Sequence, residues 1–200
     1  GHQLIWQQTR DEFRQDLLRN IGILEDQLGY KVDKYRAPGF SIKKSNLWAF
    51  EVLAETGIQT DASIFPALRA HGGMPSFPFN HPCLVERNGI TIKEFPTNYI
   101  NLAGLHTVLT GGGYFRFWPY SVIRHFTKNA PYVMTYFHPR DFDLGQPVLS
   151  DFGPYRRFRA YYGLKSSQSK LEKWIREFNF TDLRTAEASI DWATAPVARF

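Results

Sequence analysis

The 200 residues carry 24 Lys and Arg against 19 Asp and Glu, with 43% hydrophobic and 16% aromatic side chains, which suffices for one domain with a real core and leaves little room for two. No apolar run approaches the roughly 18 residues that span a bilayer, no charged-then-apolar opening has the form of a signal peptide, and the lone Cys83 excludes an internal disulfide and a cysteine-based zinc cluster. The net charge of +5 comes from scattered basic residues, densest at Tyr155-Arg156-Arg157-Phe158-Arg159, and favours polyanion contact only weakly.

The first organised segment opens with Thr9-Arg10-Asp11-Glu12, a capping-box pattern that predicts a helix. Phe13, Leu17, Ile21, Leu24 and Leu28 then recur at steps of three and four, and Gly29 stands where a left-handed residue ends a helix. Residues 31–36 read as a short strand, 45–56 as a second helix with Leu47, Phe50 and Leu53 on one face, and 58–61 as a second strand after Gly57. Helix, strand, helix, strand in alternation implies parallel strands and an α/β sheet or barrel.

Pro66, Gly72-Gly73, Pro75, Pro78 and Pro82 describe a long excursion of the kind that builds the wall of a site, and the strand pattern resumes at Ile90-Thr91-Ile92-Lys93-Glu94-Phe95. Gly111-Gly112-Gly113 lacks the ending of a phosphate loop and reads as a flexible turn. Beyond it, 120–128 predicts a helix, 132–137 a buried strand, Leu171, Trp174, Ile175 and Phe178 a last helical stripe, and 180–192 closing structure.

Three polar residues follow predicted strands directly: Arg36, Asp61 and His138. In α/β folds the C-terminal strand ends face one side, where chemistry collects. Each also has a plainer reading. An arginine before Pro38's turn can serve as a surface or ion-pairing residue, Asp61 can cap its own turn through Ser63, and a histidine before proline can be structural. Glu94 reads as a paired structural carboxylate.

The segments Tyr35-Arg36-Ala37-Pro38-Gly39-Phe40-Ser41, 48–57, Asp61-Ala62-Ser63-Ile64-Phe65-Pro66, Gly111-Gly112-Gly113-Tyr114-Phe115-Arg116 and Tyr136-Phe137-His138-Pro139 together resemble, in order over nearly the whole chain, the polysaccharide deacetylases of carbohydrate esterase family four. This is the NodB-type homology domain, and the similarity is greatest to the branch linked to bacterial exopolysaccharide loci. The resemblance implies a deformed (β/α) barrel, with residues 1–200 a single partial domain and 140–200 its family-specific C-terminal part. It also implies hydrolysis of N-acetyl groups on a polysaccharide or oligosaccharide substrate, with a divalent metal, usually zinc, as cofactor. On the matching positions, His138 is the acid that protonates the departing amine, Arg36 orients the base, and the amides after Pro38, at Gly39 or Phe40, lie near the oxyanion. Asp61 corresponds to the acidic motif that pairs with the catalytic histidine, although Asp-x-Ser-x-x-Pro departs from the family's aspartate-tryptophan form.

The family's first motif, with its base and metal-binding aspartates, and the first histidine of its His-x-x-x-His pair are expected upstream, leaving His2 as the one metal ligand present. The resemblance therefore implies an N-terminal truncation that lacks the first strand or two, binds zinc poorly and turns over little by itself. His2 can equally be a terminal residue or a tag remnant. His71, His81, His106 and His125 show no ligand-pair spacing. Rival expectations are a hydrolase of the same fold acting on another C–N or ester bond, such as an O-acetyl esterase or a cyclic-amide hydrolase, and a non-catalytic carbohydrate-binding relative. Nucleic acid is not an expected partner, and one cysteine does not decide between bacterial cytoplasm and periplasm.

Overall fold

The computed structural model describes residues 2–69, 71–102 and 104–200. Its backbone divides into two compact units, one formed by residues up to 107 with 191–200, the other by 108–190.

The first unit is mixed α/β. Its opening helix α1 (Arg10–Leu28) starts as the sequence predicts: the Thr9 hydroxyl accepts from Glu12 N at 3.2 Å, and Glu12 Oε2 accepts from Thr9 N at 2.7 Å. It ends on Gly29 in the left-handed region. After β1 (Lys34–Tyr35) and a 3-10 turn (Pro38–Phe40) comes α2 (Trp48–Glu55), shorter than expected because a separate 3-10 turn (Lys44–Asn46) precedes it. The strands that follow are β2 (Thr60–Asp61), β3 (Cys83–Arg87), β4 (Ile90–Glu94) and the short pair β5 (Ile100–Leu102) and β6 (Leu105–Thr107). The main sheet is completed late in the chain by β7 (Val197–Arg199), giving the order β1-β2-β4-β3-β7. All its pairs are parallel except β3 with β4.

That antiparallel pair is a hairpin closed by Asn88 and Gly89, both at positive φ (46° and 81°), as the right-handed twist of the two strands demands of a two-residue turn. Phe50, Val52, Leu53, Ile58, Ile92 and Val85 form the core between α2 and the sheet. The apolar stripe of α1 is covered only over its first half. Phe13 and Leu17 are buried, whereas Leu24 and Leu28 are exposed. The cause is where α2 lies: Arg10 and Arg14 pair with Glu51 and Glu55, and Phe13 meets the Trp48 ring at 6.0 Å, all on the first turns of α1.

The second unit is helical: α3 (Gly112–Phe117), α4 (Tyr120–Asn129), α5 (Pro154–Tyr161), α6 (Leu164–Glu177) and α7 (Leu183–Ala188). Phe115, Ile123 and Trp174 form its core, with the Phe115 and Trp174 rings 5.1 Å apart. Ile175, expected on the same stripe, is exposed. Two cations, Arg116 buried and Lys170 half-buried, serve as caps. Lys170 Nζ donates to the carbonyls of Phe115, Arg116 and Trp118 past α3, and the Arg116 guanidinium donates to those of Arg159, Ala160 and Tyr162 at the end of α5. Each supplies donors to helix-end carbonyls that would otherwise lack them.

Two expectations are corrected here. Residues 132–137 form a single parallel bridge, Gly111 with Tyr136, and no strand. The glycine run is also not a flexible turn: Gly111 caps α3, and Gly112 and Gly113 are its first residues. A Cβ on Gly111 would stand 2.4 Å from the Tyr136 ring, so glycine is required by close approach rather than by mobility.

Candidate functional site

In the first unit, chemistry-bearing residues gather where three parallel strands end. The register pairs Tyr35 with Asp61 and Asp61 with Glu94, and the hairpin sets Cys83 against Glu94. In-register partners are nearest cross-strand neighbours, so four titratable residues form one row across β1, β2, β4 and β3.

Asp61 and Glu94 are fully buried. Asp61 Oδ1 accepts from Ser63 Oγ at 2.6 Å and Oδ2 from Ser63 N at 3.0 Å; Ser63 Oγ in turn accepts from Ala37 N at 2.7 Å. Arg36 Nε donates to Ala62 O at 3.0 Å, and Glu94 Oε1 accepts from Ile64 N at 3.0 Å. The loops after β1 and β2 are thereby bolted to each other and to β4. Asp61 does cap its turn through Ser63, and it also bonds Glu94.

Burial pushes the Asp61 carboxyl up from its ordinary range. Burial also pushes Glu94 well up, the neighbouring Asp61 charge adds to the rise, and Arg36 pulls the other way. Glu94 Oε2 faces no donor, so the bond between two acids is satisfied only with a proton between them. A pair holding one proton accounts for both facts. The same row raises the Tyr35 phenol and the Cys83 thiol, by burial first and then by the adjacent carboxylate. Cys83 is therefore an inert core thiol.

The turn after Arg36 is conformationally unusual. Gly39 (φ 63°) and Phe40 (φ 54°) are consecutive left-handed residues, a rare state for an aromatic residue and one that persists only where the surroundings enforce it. Here Gly73 N donates to Phe40 O at 3.2 Å, and Gly72 lies so close that a Cβ would stand 1.9 Å from the same oxygen. Arg36 and Arg69 both stack over the Phe40 ring. Phe40 N donates to Ala37 O at 3.1 Å, so of the two amides expected near an oxyanion, that one is already engaged.

His138 belongs to the second unit. Its side chain is 62% exposed, and Nδ1 lies 3.7 Å from Asp141 Oδ2, which also accepts from His138 N at 3.0 Å. Asp141 is buried, with Oδ1 3.3 Å from Arg116 Nε. A fixed carboxylate beside Nδ1 holds the ring by that nitrogen. Asp141 was not singled out from the sequence, although His138-Pro139-Arg140-Asp141 carries a legible signal: proline as first residue of a helical turn and an acid three positions after its cap.

His2 is exposed. Of the other histidines in the first unit, His106 Nδ1 lies 2.7 Å from Pro66 O with its ring stacked on Tyr99, and His81 packs on Phe79. Among the described residues no three His, Cys, Asp or Glu side chains come together as metal ligands. A zinc site needs three or four protein donors; these residues do not make up such a set, and no step below runs through a metal.

A family model described as a domain of unknown function, DUF3473, matches residues 62–188. Among solved structures, a Mycobacterium smegmatis protein provisionally described as a polysaccharide deacetylase aligns with a TM-score of 0.49 at 18% identity, over 88% of this chain and 53% of that one. The chain thus spans about half the length of that protein. No curated protein matches the sequence.

Proposed function

The chain belongs to the DUF3473 family, which is associated with polysaccharide deacetylases, and from that premise we propose that it is part of a hydrolase that removes N-acetyl groups from amino-sugar residues of a bacterial polysaccharide. The observation that supports this most is the strand-end row. It fixes Arg36, Asp61 and the turn at Pro38, Gly39 and Phe40 in one rigid arrangement, and catalytic groups need such a frame. A deformed (β/α) barrel, of which β1, β2 and β4 would be consecutive staves, is part of the same proposal.

In this reading His138 is the proton donor. Amide hydrolysis stalls unless the departing nitrogen is protonated, and an exposed imidazole held by Asp141 can deliver a proton while keeping its orientation. Arg36 brings a fixed positive charge to the rim, and the Gly39 amide is the candidate donor to a tetrahedral oxyanion. Asp61 acts through the turn it holds, since its oxygens are taken up by Ser63 and Glu94. A divalent metal with His2 among its ligands, as the family resemblance implies, is part of the same proposal, and no role given to the residues above depends on it.

The test is acetate release from N-acetylated oligosaccharides with added zinc, using a version extended upstream and the 200-residue chain as control. Activity in the extended form that falls about 100-fold or more in His138→Ala is the expected result. Full activity in that variant, or no acetate from either form across several substrates, sinks the reading.

A further inference from the structure

Charge is shared unequally between the two units. The first carries twelve Lys and Arg against twelve Asp and Glu, the second twelve against seven, so the net charge of +5 resides in residues 108–190. Two cations of the second unit, Arg116 and Lys170, are engaged with backbone carbonyl groups. The three arginines of α5 are different. Arg156, Arg157 and Arg159 are exposed, and among the described residues none has a carboxylate within ion-pair distance. Arg156 lies over the Phe152 ring at 4.1 Å and Arg159 over Tyr155 at 5.6 Å.

The rest of α5 is unusual for a surface helix. Ala160 is its buried residue, and steps of three and four put Tyr155, Phe158 and Tyr162 on the opposite side. Tyr155 is 73% exposed, and Phe158 and Tyr162, 4.6 Å apart, are exposed as well. The preceding loop adds aliphatic groups. Val148 and Leu149 are exposed, and they are held beside α5 by the Tyr161 hydroxyl, which accepts from Leu149 N at 3.0 Å and donates to Pro147 O at 2.9 Å.

We infer that α5 and its tethered loop dock on an anionic lipid bilayer, lying in the headgroup region without crossing it. The three arginines meet lipid phosphates, for which guanidinium groups supply charge and paired donors. The rings sit at the boundary between headgroups and acyl chains, where aromatic side chains are favoured. Val148 and Leu149 decide between polyanions: an acidic polysaccharide or a nucleic acid matches the arginines but gives two aliphatic side chains nothing to enter, whereas a bilayer does. No described helix is long and apolar enough to cross a membrane, in keeping with an element that rests on one.

The test is co-sedimentation of the 200-residue chain with vesicles of phosphatidylcholine alone and of phosphatidylcholine with phosphatidylglycerol, at low and high salt. Binding is expected only to the mixed vesicles and weaker in salt. Replacing Arg156, Arg157 and Arg159 together by glutamine should weaken it about a hundredfold. The double change Val148→Ser and Leu149→Ser should weaken it about tenfold while keeping the salt dependence. All five side chains are exposed, so circular dichroism should be unchanged. Equal binding to both vesicle types, or undiminished binding by the arginine variant, overturns the inference. So does binding to a soluble anionic polysaccharide such as alginate without binding to vesicles, or self-association abolished by the serine variant in a chain that ignores vesicles.

Discussion

Glu94 shows how much one buried atom can specify. Its Oε1 holds the Ile64 amide and its carboxyl bonds that of Asp61, a bond between two acids that needs a proton, so the carboxyl joins β4 to β2 and the loop after it in full only while the pair keeps that proton. Folding raises both pKa values. The stability the pair contributes is therefore complete below the ordinary carboxylate pKa of about 4 and is lost as pH climbs through the raised value. Denaturation measured from mildly acidic to alkaline pH should show stability falling for the native chain. In Glu94→Gln the slope should flatten, because the amide oxygen still accepts from Ile64 and the amide nitrogen donates to an ionised Asp61 without a titrating proton. Glu94→Ala should instead cost about 3 kcal/mol at low pH, since it strands a buried amide and a buried acid. Parallel pH profiles for native and glutamine forms would refute the shared proton. The sequence reading had Glu94 as a paired carboxylate; what it could not supply was the partner, because the register between β2 and β4, which start 30 residues apart with a long irregular stretch and β3 between them, is set by packing.

Elements divide according to whether their determinants are local. The start and end of α1 were readable because a capping box and a left-handed glycine act within one turn. The parallel strands β1 and β2 were placed to within a few residues by helix and strand alternation, though their hydrogen-bonded length is only two residues each. β3 was missed despite a strong local signal, Asn88-Gly89 between apolar runs, since the surrounding prolines suggested one continuous excursion. The strand expected at 132–137 failed for the converse reason. Its β-branched and aromatic residues suit a sheet, but only Gly111 comes to pair with it, and the glycine that permits that approach looked like a flexible turn. Gly111→Ala tests this account. A Cβ 2.4 Å from the Tyr136 ring and 2.8 Å from its carbonyl oxygen must displace backbone as well as ring, at about 2 kcal/mol. Urea denaturation should show that loss, whereas Gly153→Ala, with open space around its Cβ position, should stay close to the native value. Equal stability of the two variants would mean that the 111–136 bridge is not a fixed contact.

At the scale of the whole molecule, the two units differ in how their inner charges respond to pH. The first buries an acid pair whose proton leaves as pH rises; the second buries Arg116 beside Asp141 and half-buries Lys170, both cations shifted downward by desolvation, Arg116 being partly restored by Asp141. A cation with a depressed pKa regains stability only when pH rises through that pKa, and ordinary values for these groups start above 10. As pH rises, then, the acid pair of the first unit weakens, whereas any loss of protons from the two cations of the second can only add to stability. Hydrogen exchange, corrected for the intrinsic pH dependence of the chemistry, should resolve this difference along one chain. Protection of the amides around 60–64 and 90–95 should fall as pH is raised, and that of α6, anchored by Lys170 and by the Trp174 indole donating to Thr127, should not. In Glu94→Gln the first set should also hold steady. Uniform loss of protection in both units would mean that the chain opens as a single cooperative body, and that the pH dependence belongs to its overall charge rather than to the Asp61 and Glu94 pair.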